Sequence, residues 1–160
     1  MITAVDTNIL LDVLIPDAPA METSQQSLDA ALRQGGLVIN EVVYAELAAH
    51  FPTPEELERF LAETGILLMS SQPPALVRAG QVWSGYSRRR GAGILCPACG
   101  RAQQLSCRHC GAALRGRQRL VSDFLVGAHA EIQTDQLLTR DRGYYRTYFP
   151  ELRLIERPDR

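Results

Sequence analysis

Lysine is absent from this chain: all 17 basic residues are arginines. That excludes a P-loop lysine, a pyridoxal Schiff base and a kinase-type strand lysine. Histidine is scarce, with only His50, His109 and His129 present, and no serine or cysteine stands in a nucleophile context, which argues against acyl-transfer chemistry. No uncharged apolar run approaches the ~20 residues needed to span a bilayer, and no basic segment precedes an apolar one at the N-terminus. The sequence therefore reads as a cytosolic protein without membrane association. In that reducing compartment the four cysteines, all between Cys96 and Cys110, suit metal ligation better than disulfides. Acids are also missing where they would be least expected: residues 64 to 122 carry nine arginines and no aspartate or glutamate.

The charges that are present are segregated. Residues 1 to 63 hold 11 acids against two arginines, and residues 123 to 160 hold seven acids against six arginines, so the formal charge of -1 is a cancellation. A basic band beside acidic blocks suggests a polyanionic partner met near carboxylates that serve another purpose. The plain alternative is a solvated arginine surface. With 160 residues and 46% hydrophobic content, one globular domain with a small appendage is expected.

The hydrophobic pattern alternates short strands with helices. Ile2 to Val5 reads as a buried strand delivering Asp6 at its end, followed by an apolar helix from Thr7 to Leu14. An amphipathic helix over 22–34 stops at Gly35-Gly36, Leu37-Val38-Ile39 is a second strand, and Asn40 caps the helix that carries Glu46. Thr53-Pro54-Glu55-Glu56 marks a helix start, Ile66 to Met69 a third strand, and 74–88 a helix. Helical spacing resumes at Leu120, followed by a strand at Gln136 to Thr139 and a last short strand at Leu152 to Ile155. This order implies an α/β fold with a central parallel sheet and helices on both faces. Residues 91–118, rich in glycine, arginine and cysteine, read as an insertion.

Ligands of parallel sheets bind at the C-terminal strand ends. Asp6, Glu46, Asp123 and Asp141 all follow strands or open helices at positions that can reach that edge. Two carboxylates ~4 Å apart repel by about 4 kcal/mol at an effective dielectric of 20, so such a cluster needs a cation, and oxygen-only ligands favour Mg²⁺ or Mn²⁺. Each acid also has a structural reading: Asp6 or Asp123 as a helix cap, Glu46 as an exposed helical acid, Asp141 as a turn residue. Asp135 precedes its strand and should mark the opposite edge, while Asp12 and Glu41 are local confounders, Glu41 favouring a helix dipole. Arg140 and Arg142 flank Asp141 and are candidates to hold phosphates, against a reading as surface charge. His129, about 240° around its helix from Asp123, should be a packing residue. The tyrosines of 144–148 are open between packing and RNA contact, and the Trp83–Tyr86 stripe suits core or dimer surface.

Four blocks then match in order: Val5-Asp6-Thr7-Asn8-Ile9-Leu10, Tyr44-Ala45-Glu46-Leu47, Ser122 to Ala130, and Leu138-Thr139-Arg140-Asp141-Arg142-Gly143-Tyr144-Tyr145. They resemble PIN-domain nucleases, and most closely the VapC-type toxins of bacterial toxin–antitoxin pairs, over the whole chain except 91–118. The resemblance implies a three-layer α/β/α PIN-like domain over 1–160, a Mg²⁺- or Mn²⁺-dependent endoribonuclease acting on RNA, a homodimer, and an inhibiting antitoxin. By motif position it makes Asp6, Glu46, Asp123 and Asp141 the metal-binding acids, with Asn8 and Thr139 in support. Two rivals stand beside it: an RNA-processing nuclease without an antitoxin, and a non-catalytic RNA-binding protein in which the finger is the working part.

The insertion departs from that pattern. Cys96-Pro97-Ala98-Cys99-Gly100 and Cys107-Arg108-His109-Cys110-Gly111 are two knuckles, each presenting two thiolates from a tight turn with a glycine that tolerates positive φ. Together they would complete a tetrahedral, structural Zn²⁺ site with no position left for a reacting water. A redox pair, an iron–sulfur cluster or plain core cysteines are the alternatives. The segment has too few large apolar residues to fold on its own core, so metal should supply its folding energy. With Arg101 and Arg108 it is a candidate RNA grip; a surface for the antitoxin or second protomer is the rival.

Overall fold

The computed structural model describes residues 1–89, 94–95, 102–114 and 121–155. In chain order these form β1 (Ile2–Val5), α1 (Thr7–Leu14), α2 (Met21–Gln34), β2 (Gly36–Ile39), α3 (Glu41–Ala48), α4 (Pro54–Thr64), β3 (Ile66–Leu68) and α5 (Pro73–Arg89). Four two-residue strands follow, β4 (Ile94–Leu95), β5 (Ala102–Gln103), β6 (Leu105–Ser106) and β7 (Ala113–Leu114), then α6 (Val121–Gln133), β8 (Gln136–Leu138) and α7 (Arg142–Tyr148).

The main sheet has the order β3-β2-β1-β8, with every pairing parallel. From β1 the chain steps outward through β2 to β3, then returns across the sheet to β8. Right-handed crossovers in opposite directions put their helices on opposite faces, so the sheet is doubly wound as the α/β expectation required. The reversal falls between β1 and β8, and the crevice at the carboxyl ends of two such strands is where open α/β sheets bind ligands. Pairing of Val5 with Leu138 sets Asp6 and Thr139 side by side there, and the Asp6 backbone N–H donates to the Leu138 carbonyl at 3.0 Å.

Burial on both faces explains the continuous apolar strands: Ala4, Val5, Leu37, Val38, Ile39, Leu137 and Leu138 are all core. Each such aliphatic side chain contributes roughly 1.5–3 kcal/mol by leaving water. Helix starts follow their local chemistry. Asn40 Oδ1 accepts from the Val43 N–H at 3.1 Å, Thr53 Oγ1 accepts from the Glu56 N–H at 3.3 Å, and α4 ends at Gly65 with φ +67°. Against the sheet, α5 and α6 are joined by Arg78, whose Nε lies 2.5 Å from Glu131 Oε2. Gly127 of α6 lets the Phe149 ring approach so closely that a Cβ there would meet Cε2 at 2.3 Å.

One expected element is smaller than its sequence suggests. The last strand, expected over Leu152–Ile155, is a single parallel bridge of Leu154 to Leu137, held by Leu137 N–H to Arg153 O (2.8 Å) and Ile155 N–H to Leu137 O (3.0 Å). Tyr145 to Phe149 and Leu152 to Phe149 hydrogen bonds turn the chain back toward the sheet first, leaving only this contact to ladder. Among the described residues, no helix is long and apolar enough to cross a membrane.

Candidate active site

Asp6 is the centre of the crevice. It follows β1 at the N-cap position of α1, yet its side chain makes no capping bond, so the carboxylate is available to the crevice. Three neutral donors converge on Oδ2: Asn8 Nδ2 at 2.7 Å, Thr139 Oγ1 at 2.7 Å and the Tyr145 hydroxyl at 3.2 Å. The Thr7 backbone N–H adds a further hydrogen bond to the same carboxylate. Burial pushes the Asp6 carboxyl above its ordinary range, the neighbouring Glu46 adds in the same direction, and the hydrogen bonds from Thr139 and Tyr145 oppose both. A cation beside it would restore the ionised form.

The other three acids reach the same cleft, a cavity of about 290 Å³ lined by Asp6, Glu46, Asp123 and Asp141 together with Thr7, Asn8 and Tyr145. Glu46, on α3, accepts from Thr7 Oγ1 through Oε2. Asp123 lies inside the first turn of α6 rather than at its cap. Asp141 combines two roles: its Oδ1 accepts from the Tyr144 N–H at 3.2 Å as the N-cap of α7, while the residue lines the cleft. Thr139 links the ends of this arrangement, because its Oγ1 donates to Asp6 and accepts from the Asp141 N–H at 3.0 Å and from Asn8 Nδ2 at 3.2 Å. Asp135 sits at the other edge, with Oδ2 accepting from the Ile2 N–H at 2.6 Å.

The PIN-domain family model matches residues 3–150 of the chain. The chain belongs to the PIN-domain family. Solved structures similar to this PIN domain include VapBC2 from Rickettsia felis bound to a DNA fragment from their promoter, at 16% identity over 99% of this chain and 100% of that one, TM-score 0.61. FitAB bound to an IR36 DNA fragment gives 17% identity over 97% and 94%, TM-score 0.60. VapBC-1 from nontypeable Haemophilus influenzae gives 16% over 98% of each chain, TM-score 0.60. At these identities the likeness is one of fold. No curated protein matches the chain.

The donors of this PIN domain's cleft fit a hard divalent cation, since the ionisable lining residues are four carboxylates and two tyrosines, without thiol or imidazole. As the side chains stand, no three His, Cys, Asp or Glu residues among the described ones are arranged to hold one ion.

Thr7 and Tyr145 support the site, Thr7 without any role expected from sequence and Tyr145 with one left open between packing and RNA contact. Burial, and then the charge of Asp6, hold the Tyr145 hydroxyl well above its ordinary range, so it stays a donor. Its neighbours Tyr144 and Tyr148 pack with Tyr86 and Phe124, at ring distances of 5.0 to 5.8 Å. The 144–148 tyrosines thus pack, and two of them also reach the site, Tyr144 donating to the Asp123 carbonyl at 2.9 Å. The only sequence signal was their placement one turn after Asp141.

The arginines divide. Arg140, expected as a phosphate contact, is engaged elsewhere: its Nε is 3.0 Å from Asp12 Oδ2. Asp12, expected as a mere confounder, is buried and also accepts from Ser24 Oγ at 2.6 Å. Arg142 is half-buried, and its Nη2 has no hydrogen-bond partner among the described residues. Glu41, expected to favour its helix dipole, accepts from both N–H and Oγ of Ser71, each at 3.0 Å. His129 is a core residue as expected, with Nδ1 3.4 Å from Ser71 Oγ.

In the insertion, β4–β5 and β6–β7 are two separate antiparallel hairpins, each spanning one knuckle in sequence. Cys96, Cys99 and Arg101 lie outside the described residues. The second knuckle is formed: the Gly111 N–H donates to Cys107 O at 2.8 Å and Gly111 takes φ +71°. The Cys110 and His109 backbone N–H groups pull the Cys107 thiol below its ordinary range, favouring thiolate. Arg108 is exposed.

Proposed function

We propose that this PIN domain is a metal-dependent endoribonuclease that hydrolyses RNA phosphodiester bonds, and that it is the toxin of a toxin–antitoxin pair, a homodimer restrained by its antitoxin. The observation that carries the reading is the convergence of Asp6, Glu46, Asp123 and Asp141, from four distant stretches of chain, on one cleft at the sheet's reversal point. The partner assignment draws on the resemblance to VapC-type toxins, with solved structures of VapBC2, FitAB and VapBC-1 among those similar in fold.

Those four acids would hold Mg²⁺ or Mn²⁺, which when bound supplies Lewis acidity toward phosphate and water. The chain's own residues preorganise the donors. Asn8, Thr139 and Tyr145 fix Asp6 by Oδ2, and Thr7 fixes Glu46 by Oε2. Such fixed orientation of ligand carboxylates is what gives a site its affinity and geometry. Arg142, beside Asp141 in sequence, would contact a phosphate, and Arg101 and Arg108 of the insertion would extend the grip along the backbone. Cys96, Cys99, Cys107 and Cys110 would bind a structural Zn²⁺ that holds the insertion.

Inducible expression of wild type and Asp6→Asn, with mapping of new RNA 5′ ends, tests catalysis and substrate together. Wild type should generate new ends and Asp6→Asn should generate none while still binding RNA. Undiminished ends with Asp6→Asn would remove Asp6 from the mechanism.

A further inference from the structure

The pairing of Asp12 with Arg140 lies outside the cleft lining, and it joins the helix that begins after Asp6 to the turn that carries Asp141. We propose that Asp12 and Arg140 are positioning residues: a buried-charge clamp that holds the Thr139–Asp141 turn in place and so sets the cation affinity of the cleft. The inference rests on the four-acid metal reading above.

Helix α1 presents Asn8 and Asp12 one turn apart, and residues at this spacing share a helix face. Both grip Arg140. Asn8 Oδ1 accepts from its backbone N–H at 3.1 Å, and Asp12 Oδ2 accepts from its Nε at 3.0 Å. Arg140 stands between Thr139, which donates to Asp6, and Asp141, whose own N–H returns to Thr139 Oγ1. Fixing residue 140 by backbone and by side chain therefore fixes Asp141 relative to Asp6.

The burial is asymmetric and identifies which partner depends on the other. The Asp12 side chain is 6% exposed and that of Arg140 41%. A carboxylate that deep needs a cation, because a buried charge left alone destabilises strongly, and the Ser24 hydroxyl is only a neutral donor. A phosphate could recruit the Arg140 guanidinium only by stranding Asp12. This disfavours a direct RNA contact and favours a role exerted through Asp141.

The test is Mn²⁺ titration of RNA-free protein by calorimetry, with melting curves on the same samples and Asp6→Asn as control. Arg140→Gln and Asp12→Asn should each weaken Mn²⁺ binding roughly ten- to a hundredfold, the range typical of residues that orient ligands, while the protein stays folded at the titration temperature. Arg140→Lys, which keeps the charge, should retain most of the affinity. Wild-type Mn²⁺ affinity in Arg140→Gln and Asp12→Asn, even with lowered melting temperature, would reduce the pair to a structural contact and overturn the proposal. Loss of RNA affinity in Arg140→Gln without loss of Mn²⁺ affinity would overturn it in favour of a phosphate contact. Equal weakening by Arg140→Lys and Arg140→Gln would overturn the charge clamp. If Asp6→Asn binds Mn²⁺ as wild type does, the metal reading fails first and this inference with it.

Discussion

The cleft and the cysteine insertion are built on opposite principles. The cleft lies at the end of a four-stranded parallel sheet whose inner strands are core, and its central acid, Asp6, is oriented by neutral donors from Thr139, just after β8, and Tyr145 of α7. Among its described residues the insertion shows two-residue strands, and the stretch from Gln103 to Ser106 is exposed throughout. An isolated hairpin is marginal in water even when longer than these. Burial orders the first region before any ligand arrives, and for the second the proposed Zn²⁺ would supply the folding energy. In sequence the insertion ends just ahead of α6, whose first residue lies two before Asp123, so the two regions are neighbours along the chain.

Removing the metal of one region should separate them most sharply. Cys107→Ser with Cys110→Ser should abolish the roughly one zinc per chain expected for a Cys₄ site, measured by elemental analysis, and should open the insertion to limited proteolysis. The core melting transition should remain. Loss of the core transition as well would show that the two regions share their stability.

A perturbation of the core should do the reverse. Gly127→Ala forces a Cβ to within 2.3 Å of Phe149 Cε2, and overpacking of this kind costs about 1–3 kcal/mol. Thermal unfolding should fall by roughly 3–10 °C for a domain of this size, with zinc content unchanged.

The smallest effect is a pH dependence confined to the core. Burial lowers the His129 pKa from 6.5, with Glu41 opposing. Below pH 6.5 the unfolded chain takes up a proton that the folded one resists, so stability falls as pH drops through that value and is fully present above it. His129→Gln should flatten the decline in melting temperature between about pH 7 and pH 5. An unchanged slope would mean that another group carries it.

Local chemistry made much of this fold legible. The Asn40 and Thr53 caps, the buried strand before Asp6 and the first-turn position of Asp123 all follow from neighbouring residues, and the structure contains each. The four acids pointed to one edge because the stretches after parallel strands, and the helices they open, emerge at the same end of the sheet. What sequence did not convey depends on register. Tyr145 meets Asp6, and Arg140 meets Asp12, only because Val5 pairs with Leu138, a relation between residues far apart in the chain. Arg140 was therefore read from its neighbour Asp141 rather than from the buried carboxylate it faces. The last strand was overread for a related reason, since an apolar run does not state how much of it finds a partner.

The proposed division of labour gives the chemistry to the cleft and the grip on substrate to the insertion. Single-turnover cleavage of one labelled RNA, at protein concentrations up to saturation, tests it directly with wild type, Asp6→Asn and a protein in which a short Gly/Ser loop replaces residues 92–117. The loop variant should need more protein and show a weaker salt dependence of binding, yet reach the wild-type rate at saturation. Asp6→Asn should bind and not cleave. A folded loop variant that fails to cleave at saturation, or one with unchanged affinity and salt dependence, would contradict this division, as would cleavage by Asp6→Asn at the wild-type rate.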